Sequence, residues 1–413
     1  MSHPAQHATI LSLRREALGF LRLSAGAVLS FTCVVSNGTG VIGTRNVSNG
    51  SGTVASGNPS NIGVGSVANP QFAYVANSAS GTISAYRVDA TTGALTPVAG
   101  SPFPDEWSPV SVTVNPAGTF AYAANSFGNT GPGTVSAYRI NARTGALMPV
   151  AGSPFAAGIG PASVTVNPAG TFAYVANNGS STVSAYRVNA TTGALTPVVG
   201  SPFLTGKYPH SVSVNPAGTF AYVANYGSNT VSAYRINAAT GALTPVAGSP
   251  FAAGVGPESF TVNSAGTFAY AANVNVVGST ATGTVSAYRI DVKTGALSPV
   301  AGSPFAAGAG TVSVTVNPAG TFAYVANAGD GTVLDYRVDE KTGMLKLAGS
   351  NPVAIGSVSV TVSPAGTFAY VVNWGNNTVS AYRIDATSGA FTPVAGSPFA
   401  AGNSPWSLVM AQP

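Results

Sequence analysis

The chain has 413 residues, of which 50 are Gly, 29 are Pro and only 7% are charged, while 45% are hydrophobic. That balance is too apolar for a disordered chain and too rich in turn formers for a helical one. The net charge of +5 includes +3 from residues 1–60, where Arg14, Arg15, Arg22 and Arg45 oppose Glu16, so no concentrated basic face is left to bind nucleic acid.

The N-terminal text "LSLRREALGFLRLSAGAVLSFTC" begins basic and continues into an uncharged run from Leu23 to Val35. Such a run is short for a membrane span but suits the apolar region of a signal peptide. Residues 1–35 are therefore expected to be a signal peptide or lipoprotein signal. Cys33, the single cysteine, cannot form an internal disulfide and stands where a lipid-attachment cysteine would. Lipidation at Cys33 with a membrane tether, plain secretion and a retained anchor all remain open. The Gly/Ser/Asn-rich stretch 36–68 reads as a flexible spacer, and the two segments together imply an extracytoplasmic location.

From residue 69 the text repeats. The tyrosine of "FAY" recurs at Tyr74, Tyr122, Tyr174, Tyr222, Tyr270, Tyr324 and Tyr370, at spacings of 48, 52, 48, 48, 54 and 46 residues. Each copy reads as four short strands: "SVTV", then "TFAYVAN" after an "NPAG" turn, then "TVSAYRV", then "ALTPV". Repeats near this length, with several strands each, predict propeller blades. Residues 69–413 are thus expected to be an all-β, seven-bladed β-propeller of four-stranded antiparallel blades. The first copy lacks a convincing "SVTV", and the chain ends in "SPWSLVMAQP". Ser407–Met410 is therefore predicted to close the ring as the inner strand of blade one, removing open sheet edges. The seven Arg of "AYR", one per blade, are read as a structural device between blades.

Strand order puts the loops after strands two and four on one end, called the top, and departures from the repeat concentrate there. They include Trp107, Trp374 and Trp406, the pair Asp105 and Glu106, and the stretch Lys207, Tyr208 and His210, with Glu258 one blade on. His210 and Glu258 hold the same repeat position in consecutive blades, so the carboxylate can orient the imidazole. The plainer alternatives are solvated loop residues, and tryptophans that cap the channel or pack between blades. In blade six, Asp335 replaces the usual Ala near Asp330, Asp339 and Glu340. The spacing does not fit a calcium loop, and Lys341 and Lys346 are read as counter-charges. No metal site and no cofactor are expected.

The phrase "AYVANxxSxTVSAYRVxxxTGALTPVxGSPF" resembles the seven-bladed lactonase-like propellers, which include 6-phosphogluconolactonases and muconate-cyclising enzymes, and the related YVTN-type surface propellers. The resemblance spans about residues 69–413. It implies a histidine in "PHS" at the start of one inner strand, met here by His210 in "YPHS". It also implies an Arg-His pair before the next inner strand and a Glu after the "YV.N" segment. The corresponding text here is "GPES" and "AANVNVV".

Three readings follow. The first is a binding or interaction module whose top face takes a glycan, peptide or small lactone, with Trp107, Trp374, Trp406, Tyr208, Asp105 and Glu106 as contacts. The second is a lactone hydrolase with His210 as general base, Glu258 as its orienter and Lys207 or backbone amides stabilising the oxyanion. The third is a structural surface protein. A monomer is expected in each case.

Overall fold

The computed structural model describes residues 70–128, 131–277 and 280–413. The N-terminal expectations, from the signal segment through Cys33 to the spacer, lie outside the described residues. Asn69–Pro413 forms one compact unit. It consists of seven antiparallel sheets arranged as the blades of a propeller.

In blade four the inner strand Pro209–Val214 pairs with Phe220–Asn225, which pairs with Thr230–Ile236. The fourth strand comes in two pieces, Leu243–Pro245 and Phe251–Ala252, both paired with the third. A Ser–Pro step separates such pieces in six blades, so the expected single outer strand is interrupted. Blade six lacks that step, and its outer strand Leu345–Pro352 runs unbroken.

The "FAYVAN" strand explains why the blades stack. Its side chains alternate between the two faces, yet all of them are buried, because a blade has neighbours on both sides. Phe72, Tyr74 and Ala76 join Val112, Ala121 and Tyr138 in one apolar layer, while Ala73 and Val75 join Phe368, Tyr370 and Leu408 in the next. Seven such layers fill the spaces between consecutive blades.

A repeated latch joins the layers. Tyr74 donates its hydroxyl to the Gly145 carbonyl of the following blade at 2.9 Å, and Tyr122, Tyr174, Tyr222 and Tyr270 make the same bond. Burial of these phenols holds them in their neutral, donating form by pushing their pKa values up. Gly145 has φ +77°, and a Cβ there would run into the Phe72 ring, so the glycine is required twice over. The arginine of "AYR" completes the latch: Arg139 lies 4.9 Å above the Phe120 ring and donates to the Thr191 carbonyl of the next blade. Five further arginines repeat this donation.

The ring closes as the sequence predicts. Pro405–Ala411 pairs with Gln71–Asn77 as the inner strand of blade one. Tyr370 and Arg383 latch blade seven onto the Gly93 and Thr91 carbonyls of blade one. The seam between blades six and seven lacks the tyrosine half of the latch, because the Tyr324 hydroxyl is buried without a partner.

Candidate functional site

Every inner strand begins with the same irregularity. Between the first and third residues the pairing register shifts, so that the second residue is left over as a β-bulge. A bulge re-aims the extra side chain away from the sheet. All seven of these side chains line one cavity at the top mouth of the central channel: His210, Glu258, Val312, Val358, Trp406, Val110 and Ala162. The cavity measures about 330 Å³ and also takes in Ser126 and Asn178.

Consecutive blades bring His210 and Glu258 together, with Nδ1 at 2.5 Å from Oε2. Their side chains are 31% and 22% exposed, so the pair faces the cavity without being washed by bulk solvent. It is the only ion pair among the described residues. The Tyr226 ring stacks on the imidazole with centroids 4.9 Å apart and planes inclined by 23°. Glu258 therefore fixes one ring nitrogen, Tyr226 fixes the ring plane, and Nε2 remains available.

Tyr208 positions this group from behind. It has φ 52°, as its counterparts Gly160, Gly256, Gly310 and Gly356 also have positive φ. In glycine this backbone costs little, but a bulky side chain is strained in it, and the following proline narrows the choice further. Its ring packs over Gly227, where a Cβ would collide with it. The loop is held by Tyr226 N–H to the Tyr208 carbonyl at 2.9 Å and Lys207 N–H to Ser228 Oγ at 2.6 Å.

The remaining expected site residues fall into separate places. Trp406 belongs to the mouth, opposite the His–Glu pair in the ring order. Trp374 occupies the turn position in blade seven that Tyr226 occupies in blade four, and is 46% exposed. Trp107 is 76% exposed and lines a different hollow of about 510 Å³ with Glu106, Asp105 and Ser78–Gly81. The tryptophans thus do not form a single surface with the acidic pair. Lys207 is exposed on a loop tip and does not line the mouth cavity, so the structure does not bring it to His210.

Asp105 points inward rather than toward a ligand. Its Oδ1 accepts from Ser136 Oγ at 2.5 Å and from the Glu106 N–H at 2.7 Å. Burial pushes its pKa up, against the lowering effect of those donors. The lysine counter-charges expected for Asp335 are also corrected. Asp335 is buried and accepts from the Asn351 amide at 2.9 Å, because its blade-six position lies under the outer strand, away from Lys341 and Lys346.

Sequence reasoning missed Tyr226 and Asn178. Both directly follow the "FAYVAN" strand, at the position where Trp374 already stood out. Aligning that position across the copies would have exposed them. The Asn178 carboxamide makes no hydrogen bond to protein among the described residues and borders the cavity, as a donor should for a carbonyl oxygen.

A β-propeller with a polar pair at its channel mouth defines the class. The family model for the seven-bladed β-propeller lactonases matches residues 49–151, 126–314 and 205–408, so the chain belongs to that lactonase family. A candidate 6-phosphogluconolactonase from Bacteroides fragilis superposes with TM-score 0.72 at 21% identity, covering 83% of this chain and 98% of that one. A periplasmic gluconolactonase from Pseudomonas aeruginosa superposes with TM-score 0.70 at 22% identity, covering 83% and 100%. No curated protein sequence matches the chain. At these identities the structural likeness speaks for the fold.

Proposed function

We propose that the protein hydrolyses a lactone at the top mouth of its channel. The observation that carries this reading is the 2.5 Å contact between His210 and Glu258 inside the mouth cavity. Glu258 accepts a hydrogen bond from Nδ1–H, leaving Nε2 to take a proton from water as the water oxygen attacks the lactone carbonyl. The Asn178 amide is the donor suited to the oxyanion. Collapse of the tetrahedral intermediate breaks the ring C–O bond, and the imidazolium returns its proton to the departing alkoxide. One lactone and one water give one hydroxy acid, which ionises in neutral solution. Membership of the lactonase family supports the reaction class.

The test is base uptake during lactone hydrolysis by the full chain, compared with His210→Ala and Glu258→Gln. Loss of the base is expected to lower kcat by about a hundredfold or more, and loss of its orienter by about tenfold or more. Equal rates in wild type and His210→Ala would overturn the assignment. A second reading is ligand binding without turnover, favoured by the hollow beside the exposed Trp107. Binding of a glycan or peptide that is lost in Trp107→Ala, by a protein hydrolysing no lactone, would select it. The extracytoplasmic location and the tether through Cys33 belong to this proposal and rest on the sequence of residues 1–68.

A further inference from the structure

We infer that the substrate of this site is an uncharged lactone carrying a hydrocarbon substituent, rather than a phosphorylated or polyhydroxylated one. The inference rests on the lactone-hydrolase reading and adds the substrate class.

Beyond His210 and Glu258, the five remaining bulge positions at the mouth carry Val110, Ala162, Val312, Val358 and Trp406. None but the Trp406 indole N–H can hydrogen-bond. The only other polar side chains lining the cavity are Ser126 and Asn178. A polyhydroxylated ring would enter with more hydroxyls than these groups can partner, and each one buried unpaired costs binding.

The loop tips around the mouth continue the apolar character. At equivalent positions stand Trp107, Ile159, Val255 (50% exposed), Ala309 and Ile355 (72% exposed), with Lys207 and Asn403 in the other two blades, and none of the seven lines the cavity itself. The apolar tips disfavour a hydrated substituent and favour a hydrocarbon one.

Charge excludes the phosphorylated alternative. Six arginines of the "AYR" strands donate to backbone carbonyls at the bottom end. Arg143, Lys293 and Lys341 lie in bottom loops. Among the described residues Lys207 is the one cation of the top end, and it lies outside the cavity. A phosphate dianion would therefore meet the Glu258 carboxylate without the forked guanidinium partners that phosphate recognition uses.

The experiment measures kcat/KM of the full chain on δ-valerolactone, δ-octalactone and δ-dodecalactone, beside δ-gluconolactone and 6-phosphogluconolactone. The expected result is a rise of about threefold per added methylene until the mouth is filled, with both sugar lactones below the long-chain members. Val358→Asp is expected to cut the long-chain advantage over δ-valerolactone by about tenfold or more, and the isosteric Val358→Thr to move it in the same direction if the first variant does not fold. A flat or falling series, or preference for either sugar lactone, overturns this inference and leaves the lactone reading standing. Hydrolysis of none of the five removes both.

Discussion

Asp105 and Asn125 meet between blades one and two, with the Asn125 amide 3.4 Å from Asp105 Oδ1, and each leaves one enclosed oxygen without a partner. In blades one, three and six the matching asparagine accepts from a glycine N–H, as Asn177 does from Gly158 at 3.1 Å. Glu106 replaces that glycine, and a side chain there displaces the loop backbone from the asparagine. Since the Asp105 pKa is raised in the fold, its favourable contribution belongs to the protonated form. It is complete below the ordinary value of 3.8 and is lost as pH rises through the raised value. Asp105→Asn is therefore expected to stabilise the protein at neutral pH by about 1 kcal/mol. That gain should vanish in melts below about pH 4, where the wild-type carboxyl is itself neutral.

Tyr208 offers a second test, because its backbone and its ring have opposite effects on stability. Replacing it with glycine removes the left-handed strain of about 1–2 kcal/mol while surrendering the contact over Gly227. Tyr208→Gly should melt within about 1 °C of wild type or above it, whereas the β-branched Tyr208→Val should melt several degrees lower. Activity separates the roles: a drop in kcat in the stable glycine variant would show that the strained loop sets the plane of Tyr226 and His210.

Acid sensitivity should reside in four blades. Asp89, Asp291, Asp339 and Asp385 each accept two backbone N–H groups in the bottom turns, which holds their carboxyls below the usual range. Depressed values mean that the contribution is present above the unfolded pKa and disappears as pH falls through the folded one. Blades two, three and four use Asn141, Asn189 and Asn237 in the same turns and carry no such dependence. Changing all four aspartates to asparagine should flatten the decline of Tm below about pH 4, and an unchanged slope would refute the assignment.

The tyrosine latch predicts a contrast between two identical substitutions. Tyr270→Phe deletes a bond of 3.1 Å to the Gly343 carbonyl and should cost about 1 kcal/mol. Tyr324→Phe deletes a buried hydroxyl that has no partner, so its stability should match or exceed wild type. The Phe391 ring, 5.1 Å from the Tyr324 ring, fills the place of the leucine of other blades and accompanies the missing bond.

The architecture was legible because one pattern is written seven times. The alternation in "FAYVAN", the turn at "NPAG" and the orphaned "SPWSLVM" suffice to predict both the blades and their closure. The site was legible only in part. His210 and Glu258 announced themselves by departing from the repeat at one shared position. What the letters did not carry was direction. Asp105 and Trp107 break the repeat just as visibly, yet a short loop turns one carboxylate inward to Ser136 and leaves the indole over a separate hollow. The role of Tyr226 needed the stacking geometry, since a tyrosine after an asparagine looks like any other turn residue.

The bulge at the head of each inner strand separates two obligations that most active sites must reconcile. Histidine, glutamate, tryptophan, alanine and three valines occupy the seven copies over one unchanged backbone pattern. The tyrosines and arginines that latch the blades lie in the second and third strands, and none of them lines the mouth cavity. The chemistry of the channel can therefore be rewritten one position at a time, by drift or by design, with little threat to folding. A ring of seven such positions makes this propeller an evolvable site carried on a conserved chassis of its own repeats.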